Sequence, residues 1–147
     1  MKIEILGGEK EIGGNKILVE HKGTRILLDF GMSFGQAGKY FSEFLQPRKG
    51  AALTDFFELG LLPDKKGFYR QDYLDHMDRP KEEREVDAVF LSHAHADHAQ
   101  YIHFLRLDLY YRKDTFPSWF SYPQKSLFAR KAPSSKNQRL FTFLSSI

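Results

Sequence analysis

The apolar run VDAVFLS (86–92) ends directly on His93-Ala94-His95-Ala96-Asp97-His98, and no other stretch of the chain constrains its fold as tightly. A short apolar segment bounded by charge has the form of a strand buried on both faces. From His98 onward, Ala99, Ile102, Leu105 and Leu109 recur at helical spacing, which predicts a helix over 98–106. Strand, polar loop and helix are therefore consecutive, an α/β arrangement. The cluster lies at the strand's carboxyl end, where open α/β sheets place their ligands.

The chain has no cysteine, so any metal must be held by histidine and carboxylate. Imidazole nitrogens and carboxylate oxygens suit zinc, manganese or iron, and four such groups within six residues (93–98) are costly to hold together without a cation. A purely structural role for the cluster is the alternative. His93 and His95, two apart on extended backbone, can converge on one ion. Asp97 and His98, one turn further on, can face a second. Two ions about 3.5–4 Å apart can hold a bridging hydroxide and clamp the attacking and leaving oxygens of a phosphodiester. They would bring the pKa of bound water from 15.7 toward about 7 and so supply a nucleophile for hydrolysis.

The rest of the chain fits a single domain with a mixed fold. Ile3 and Ile5 alternate with Lys2 and Glu4, and KILVEH (16–21) and TRILLDF (24–30) flank Lys22-Gly23, a hairpin signal. Asp29 then leaves the sheet through a glycine-rich stretch. Residues 34–85 form a long excursion with one predicted helix, its face made by Ala52, Leu53, Phe56, Phe57 and Leu59 and its end marked by Gly60 and Pro63. The charged stretch 64–85 reads as a solvated surface insertion or, more sharply, as a flap over a site. Residues 107–147 read as an atypical basic tail, either irregular and partly disordered or the product of a shifted reading frame: the last 33 residues contain no acid, valine or glycine.

Net charge is +3, but residues 115–147 alone carry +5, leaving 17 basic and 19 acidic groups before them. Charge thus makes no case for nucleic acid. The absence of a membrane-length apolar run or a signal segment leads to the expectation of a soluble, cytoplasmic protein without membrane contact.

Weaker signals divide as follows. His103, five residues after His98 on the predicted helix, points away from the cluster and reads as a surface or packing residue. His21 and His76 are expected at the surface. Gly7, Gly8, Gly13 and Gly14 read first as a turn between strands, with close approach to a phosphate as the alternative. Trp119, Phe120 and Tyr122 beside the basic tail are a slight signal for base stacking.

VFLSHAHADH resembles the signature loop of the metallo-β-lactamase superfamily, and LLDFG (27–31) resembles its earlier motif, an aspartate at a strand end. GGEKEIGGNKILVE (7–20) is similar to the opening of ribonuclease J-type RNA-processing members. The resemblance implies that His93 and His95 bind a first metal and that Asp97 and His98 bind a second. It makes Asp97 the catalytic residue that orients the attacking water, with Asp29 supporting the loop from behind. It also implies one or two Zn2+ ions, with Mn2+ as the other candidate, and RNA or another phosphodiester as substrate.

Residues 1–106 carry the match. Superfamily members supply a further histidine, a bridging aspartate and a final histidine from a second half of the fold, whereas here no histidine follows His103 and the only later carboxylates are Asp108 and Asp114. The expectation is therefore an α/β (α+β) fold amounting to part of the metallo-β-lactamase αββα sandwich, its first sheet and signature loop only. Such an N-terminal piece would bind metal weakly and hydrolyse little. The alternatives are a non-catalytic truncated product, a module completed by a partner or by self-association through exposed sheet, or a thioester or lactam hydrolase of the same superfamily.

Overall fold

Lys22 and Gly23 both take positive φ, 47° and 76°, which is what a two-residue hairpin turn matched to strand twist demands. They join strand β2 (Lys16–His21) to β3 (Thr24–Leu28) with His21 opposite Thr24. The computed structural model that shows this describes residues 1–41, 47–48 and 52–106 and the backbone of 110–111. Strand β1 (Lys2–Gly7) pairs antiparallel with β2, while β4 (Ala88–Phe90) and β5 (Tyr110–Tyr111) extend the sheet beside β3 in parallel. The order is β1-β2-β3-β4-β5. The parallel β3–β4 pair needs a crossover, and residues 29–87 provide it.

Helices α1 (Phe34–Tyr40), α2 (Ala52–Glu58) and α3 (Gln71–Asp75) lie in that crossover. Ser33 caps α1 by accepting a hydrogen bond from the Gln36 amide at 3.1 Å. Gly60, at φ 68°, closes α2 as expected, and the Leu61 amide returns to the Phe56 carbonyl at 2.8 Å. Cross-strand neighbours Leu18, Leu27 and Val89 present one face of the sheet to Leu53, Phe56, Phe68, Tyr69 and Leu74, and this is the main core. On the opposite face Val19, Ile26 and Ala88 form a smaller buried cluster. Ile3 and Ile5, opposite Val19 and Ile17 and hence on that same face, are each 58% exposed.

Two expectations are corrected. The charged stretch 64–85 is not wholly solvated: most of its residues are exposed or half-buried, but Phe68, Tyr69 and Leu74 are at most 1% exposed. Three aromatic or aliphatic side chains outweigh the polar composition because Tyr69 bridges to Leu105 and the Arg70 amide reaches the Phe104 carbonyl at 3.0 Å, drawing the stretch inward. The predicted helix over 98–106 is instead a four-residue helix α4 (Ala96–Ala99) followed by a 3-10 turn (Ile102–Phe104). Its path is broken because Phe30 takes the Tyr101 amide at 3.1 Å, and the chain must then straighten to meet Tyr69.

His103 packs on Phe104 with ring centroids 4.0 Å apart, and burial lowers its pKa below the usual imidazole value. His76 is exposed as expected, whereas His21 is half-buried. Among the described residues no helix is long and apolar enough to cross a membrane. Apart from the backbone of Tyr110 and Tyr111, the 107–147 tail, with Asp108, Asp114 and the Trp119, Phe120 and Tyr122 signal, lies outside the described residues.

Candidate metal centre

Strand β4 delivers Leu91 to the core and then releases Ser92 and the histidine loop beside the end of β3. There Asp29, at φ 58°, turns out of the strand while its amide still bonds the Phe90 carbonyl at 2.9 Å. Asp29 is 9% exposed, and its buried carboxylate has three partners. It accepts from the Ser92 amide at 2.7 Å and from Ser92 Oγ at 2.9 Å, and it lies 2.7 Å from His98 Nδ1.

This network selects the tautomer of the neutral imidazoles. A carboxylate only accepts, so in neutral His98 the hydrogen sits on Nδ1 and Nε2 keeps its lone pair. The single Ser92 hydroxyl proton goes to Asp29, so His93 Nδ1, 3.0 Å from Ser92 Oγ, is the donor to that oxygen. Its Nε2 is likewise bare.

Ligand-capable atoms of His93, Asp97 and His98 lie within 4.8 Å of one another. All three side chains are half-buried, and His98 Nε2 is 3.4 Å from Asp97 Oδ2. His95 is more exposed and joins the group through His93, its Nδ1 being 3.1 Å from His93 Nε2. Two imidazole nitrogens with free lone pairs and a carboxylate are a donor set for a divalent cation. Atoms each about 2.0–2.2 Å from one ion stand at most about 4.4 Å apart, so small side-chain rotations would close the trio. The residues fit a metal.

Backbone pinning explains why so short a helix holds these groups. The Met32, Asn15 and Phe30 amides reach the Ala96, Asp97 and His98 carbonyls at 3.0, 3.3 and 2.8 Å, satisfying groups that a four-residue helix leaves open. The approach requires glycine: a Cβ on Gly31 would lie 1.6 Å from the Asp97 carbonyl oxygen, and one on Gly13 2.6 Å from Asp97 Cβ.

Of the site residues expected from the sequence, His93, Asp97 and His98 converge, Asp29 backs them through His98 and Ser92, and His95 adjoins the group through His93 alone. Ser92, Asn15, Gly13 and Gly31 belong there too and were not anticipated. Ser92 adjoins the cluster and offers a signal by position; Asn15 and Gly13 stand in the 7–20 segment, whose glycines read first as a turn between strands with approach to a phosphate as the alternative, and neither reading ties them to Asp97 or His98.

The metallo-beta-lactamase superfamily model matches residues 10–100, and the chain belongs to that superfamily. Ribonuclease J of Pyrococcus abyssi (strain GE5 / Orsay) is 32% identical over 98 residues, covering 67% of this chain and 18% of the relative. Ribonuclease J of Helicobacter pylori (strain ATCC 700392 / 26695) is 31% identical over the same length, 10% of that protein. The chain therefore spans less than a fifth of these relatives. A solved structure of a protein of unknown function from Enterococcus faecalis V583 overlays 89% of the chain and 32% of its own with a TM-score of 0.55 at 26% identity. The mixed sheet and its helices are accordingly part of a metallo-β-lactamase fold, and the chain is ribonuclease J-like within it.

Proposed function

We propose that this chain carries the first ligand cluster of a metal-dependent phosphodiesterase of the ribonuclease J type, with RNA or another phosphodiester as substrate. The observation that carries the reading is the convergence of His93, Asp97 and His98, with two imidazole lone pairs turned inward by Ser92 and Asp29. In the assembled enzyme His93 and His95 hold one cation and Asp97 and His98 a second. In the chain alone, the His93, Asp97 and His98 trio is the set able to close round one ion. Zn2+ suits it best, and Mn2+ is the other candidate. A cation there supplies Lewis acidity, polarising a phosphoryl oxygen and lowering the pKa of coordinated water toward about 7. Asp97 orients the attacking water, and Asp29 keeps His98 in the correct tautomer. A cytoplasmic location goes with an RNA substrate.

Equilibrium dialysis against Zn2+ and Mn2+ tests this. Weak but measurable retention is expected, lost in His98→Ala, with little turnover of a generic phosphodiester. A folded sample that retains neither ion refutes it.

The exposed Ile3 and Ile5, with Leu28 at 36% exposure on the same face, favour a second reading. In it the chain is a non-catalytic module that self-associates or awaits a partner through this sheet face.

A further inference from the structure

Asn15 is tied at both ends of its backbone, its amide to the Asp97 carbonyl at 3.3 Å and its carbonyl to the Gly31 amide at 3.1 Å. Its side chain is aimed with equal definition. Oδ1 faces Gly8, where an added Cβ would come within 2.6 Å of it, and Nδ2 lies 3.4 Å from His98 Nε2. Because Asp29 holds the proton of His98 on Nδ1, the contact at Nε2 is an amide N–H donated to a lone pair. Among the described residues Nδ2 has no other hydrogen-bond partner. A cation held by His98 would claim that lone pair and leave both amide hydrogens beside the positive charge. A carboxamide whose donors face a cation site repels a further cation and suits an anionic oxygen.

We propose that Asn15 is a substrate-binding residue whose amide N–H groups grip a non-bridging oxygen of a phosphate-class anion brought to the His93, Asp97 and His98 cluster. This rests on the reading of the cluster as a cation site, and the test separates the two. The whole chain is titrated first with Zn2+ or Mn2+ by equilibrium dialysis. Inorganic phosphate is then titrated into the metal-loaded protein by calorimetry, for the wild type, Asn15→Ala and the near-isosteric Asn15→Asp. The expected result is that Asn15→Ala keeps metal affinity within about threefold while phosphate binding weakens about tenfold or more, the size of one lost hydrogen bond to a charged group. Asn15→Asp should weaken phosphate further and tighten the metal, since it adds a negative charge at the same place. Unchanged phosphate affinity in both variants overturns the proposal. So does a wild type that holds metal but no phosphate, or parallel loss of metal and phosphate in Asn15→Ala, which would mark the residue as part of the metal scaffold. A wild type that retains no metal overturns the reading of the cluster itself.

Discussion

Removing the charge of Asp29 without disturbing its backbone calls for asparagine, which tolerates the positive φ found there. Asp29→Asn should lower metal affinity about 10- to 100-fold, the usual cost of losing the partner of a ligating imidazole, read by competition with a chromogenic chelator. Fold stability should change less, since Asn still accepts from the Ser92 amide. Gly31→Ala should act on the fold first. Its Cβ has no space beside the Asp97 carbonyl, so the urea midpoint should fall by the equivalent of about 1–3 kcal/mol or more, and metal binding should fail with it. The four ligand candidates and Asp29 were legible because ligand chemistry shows in residue type and spacing. Gly31 and Asn15 were not, because their roles are approaches to a segment more than sixty residues away, and spacing along one strand carries no trace of a neighbour that distant.

At the scale of elements, the long crossover is where sequence and structure part. The hairpin and the end of α2 were readable from Lys22-Gly23 and Gly60, where the chain needs left-handed backbone. The stretch around Phe68 was misread because charge dominates its composition, while only three of its side chains decide where it lies. Leu74→Ala should therefore cost about 2–5 kcal/mol in chemical denaturation, where a surface position would cost under about 0.5. Tyr69→Phe, which deletes the hydroxyl donated to the Pro63 carbonyl, should cost about 1 kcal/mol. The broken helix after the signature loop could not be foreseen from helical spacing, since what interrupts it is pairing with Phe30 and Tyr69.

For the molecule as a whole, alkaline pH should produce a rise and then a fall in stability. Lys16 is 2% exposed, with Nζ on the Gly14 carbonyl at 3.1 Å. Burial brings its pKa from 10.5 down to about 8, against the opposing pull of Glu11. Between pH 8 and 10.5 the unfolded chain then binds the extra proton, so stability rises with pH across that window. Burial pushes Tyr69 well above its ordinary value and Tyr101 to about 12, so above pH 10 the unfolded chain loses protons first and stability falls again. Urea midpoints at pH 7.5, 9.5 and 11 for the wild type and Lys16→Met check this: the rise should be absent in the variant and the fall retained. Self-association belongs to the same scale. On the reading that the chain self-associates, Ile5→Lys, on the exposed face of edge strand β1, should shift sedimentation velocity profiles toward monomer with an unchanged circular dichroism spectrum.

Three side-chain contacts of the centre span great lengths of chain: Asp29 to Ser92 across 63 residues, Asp29 to His98 across 69 and Asn15 to His98 across 83. The three histidines fall within six residues, close enough to chelate loosely even in a denatured coil. What closure of the crossover adds is the proton placement at both imidazoles, so the gain in cation affinity on folding measures how firmly the two halves of the loop are clasped. A folding-deficient variant should thus be rescued by Zn2+ in proportion to that gain, by roughly 2.7 kcal/mol at a hundredfold excess over Kd if the coil binds nothing.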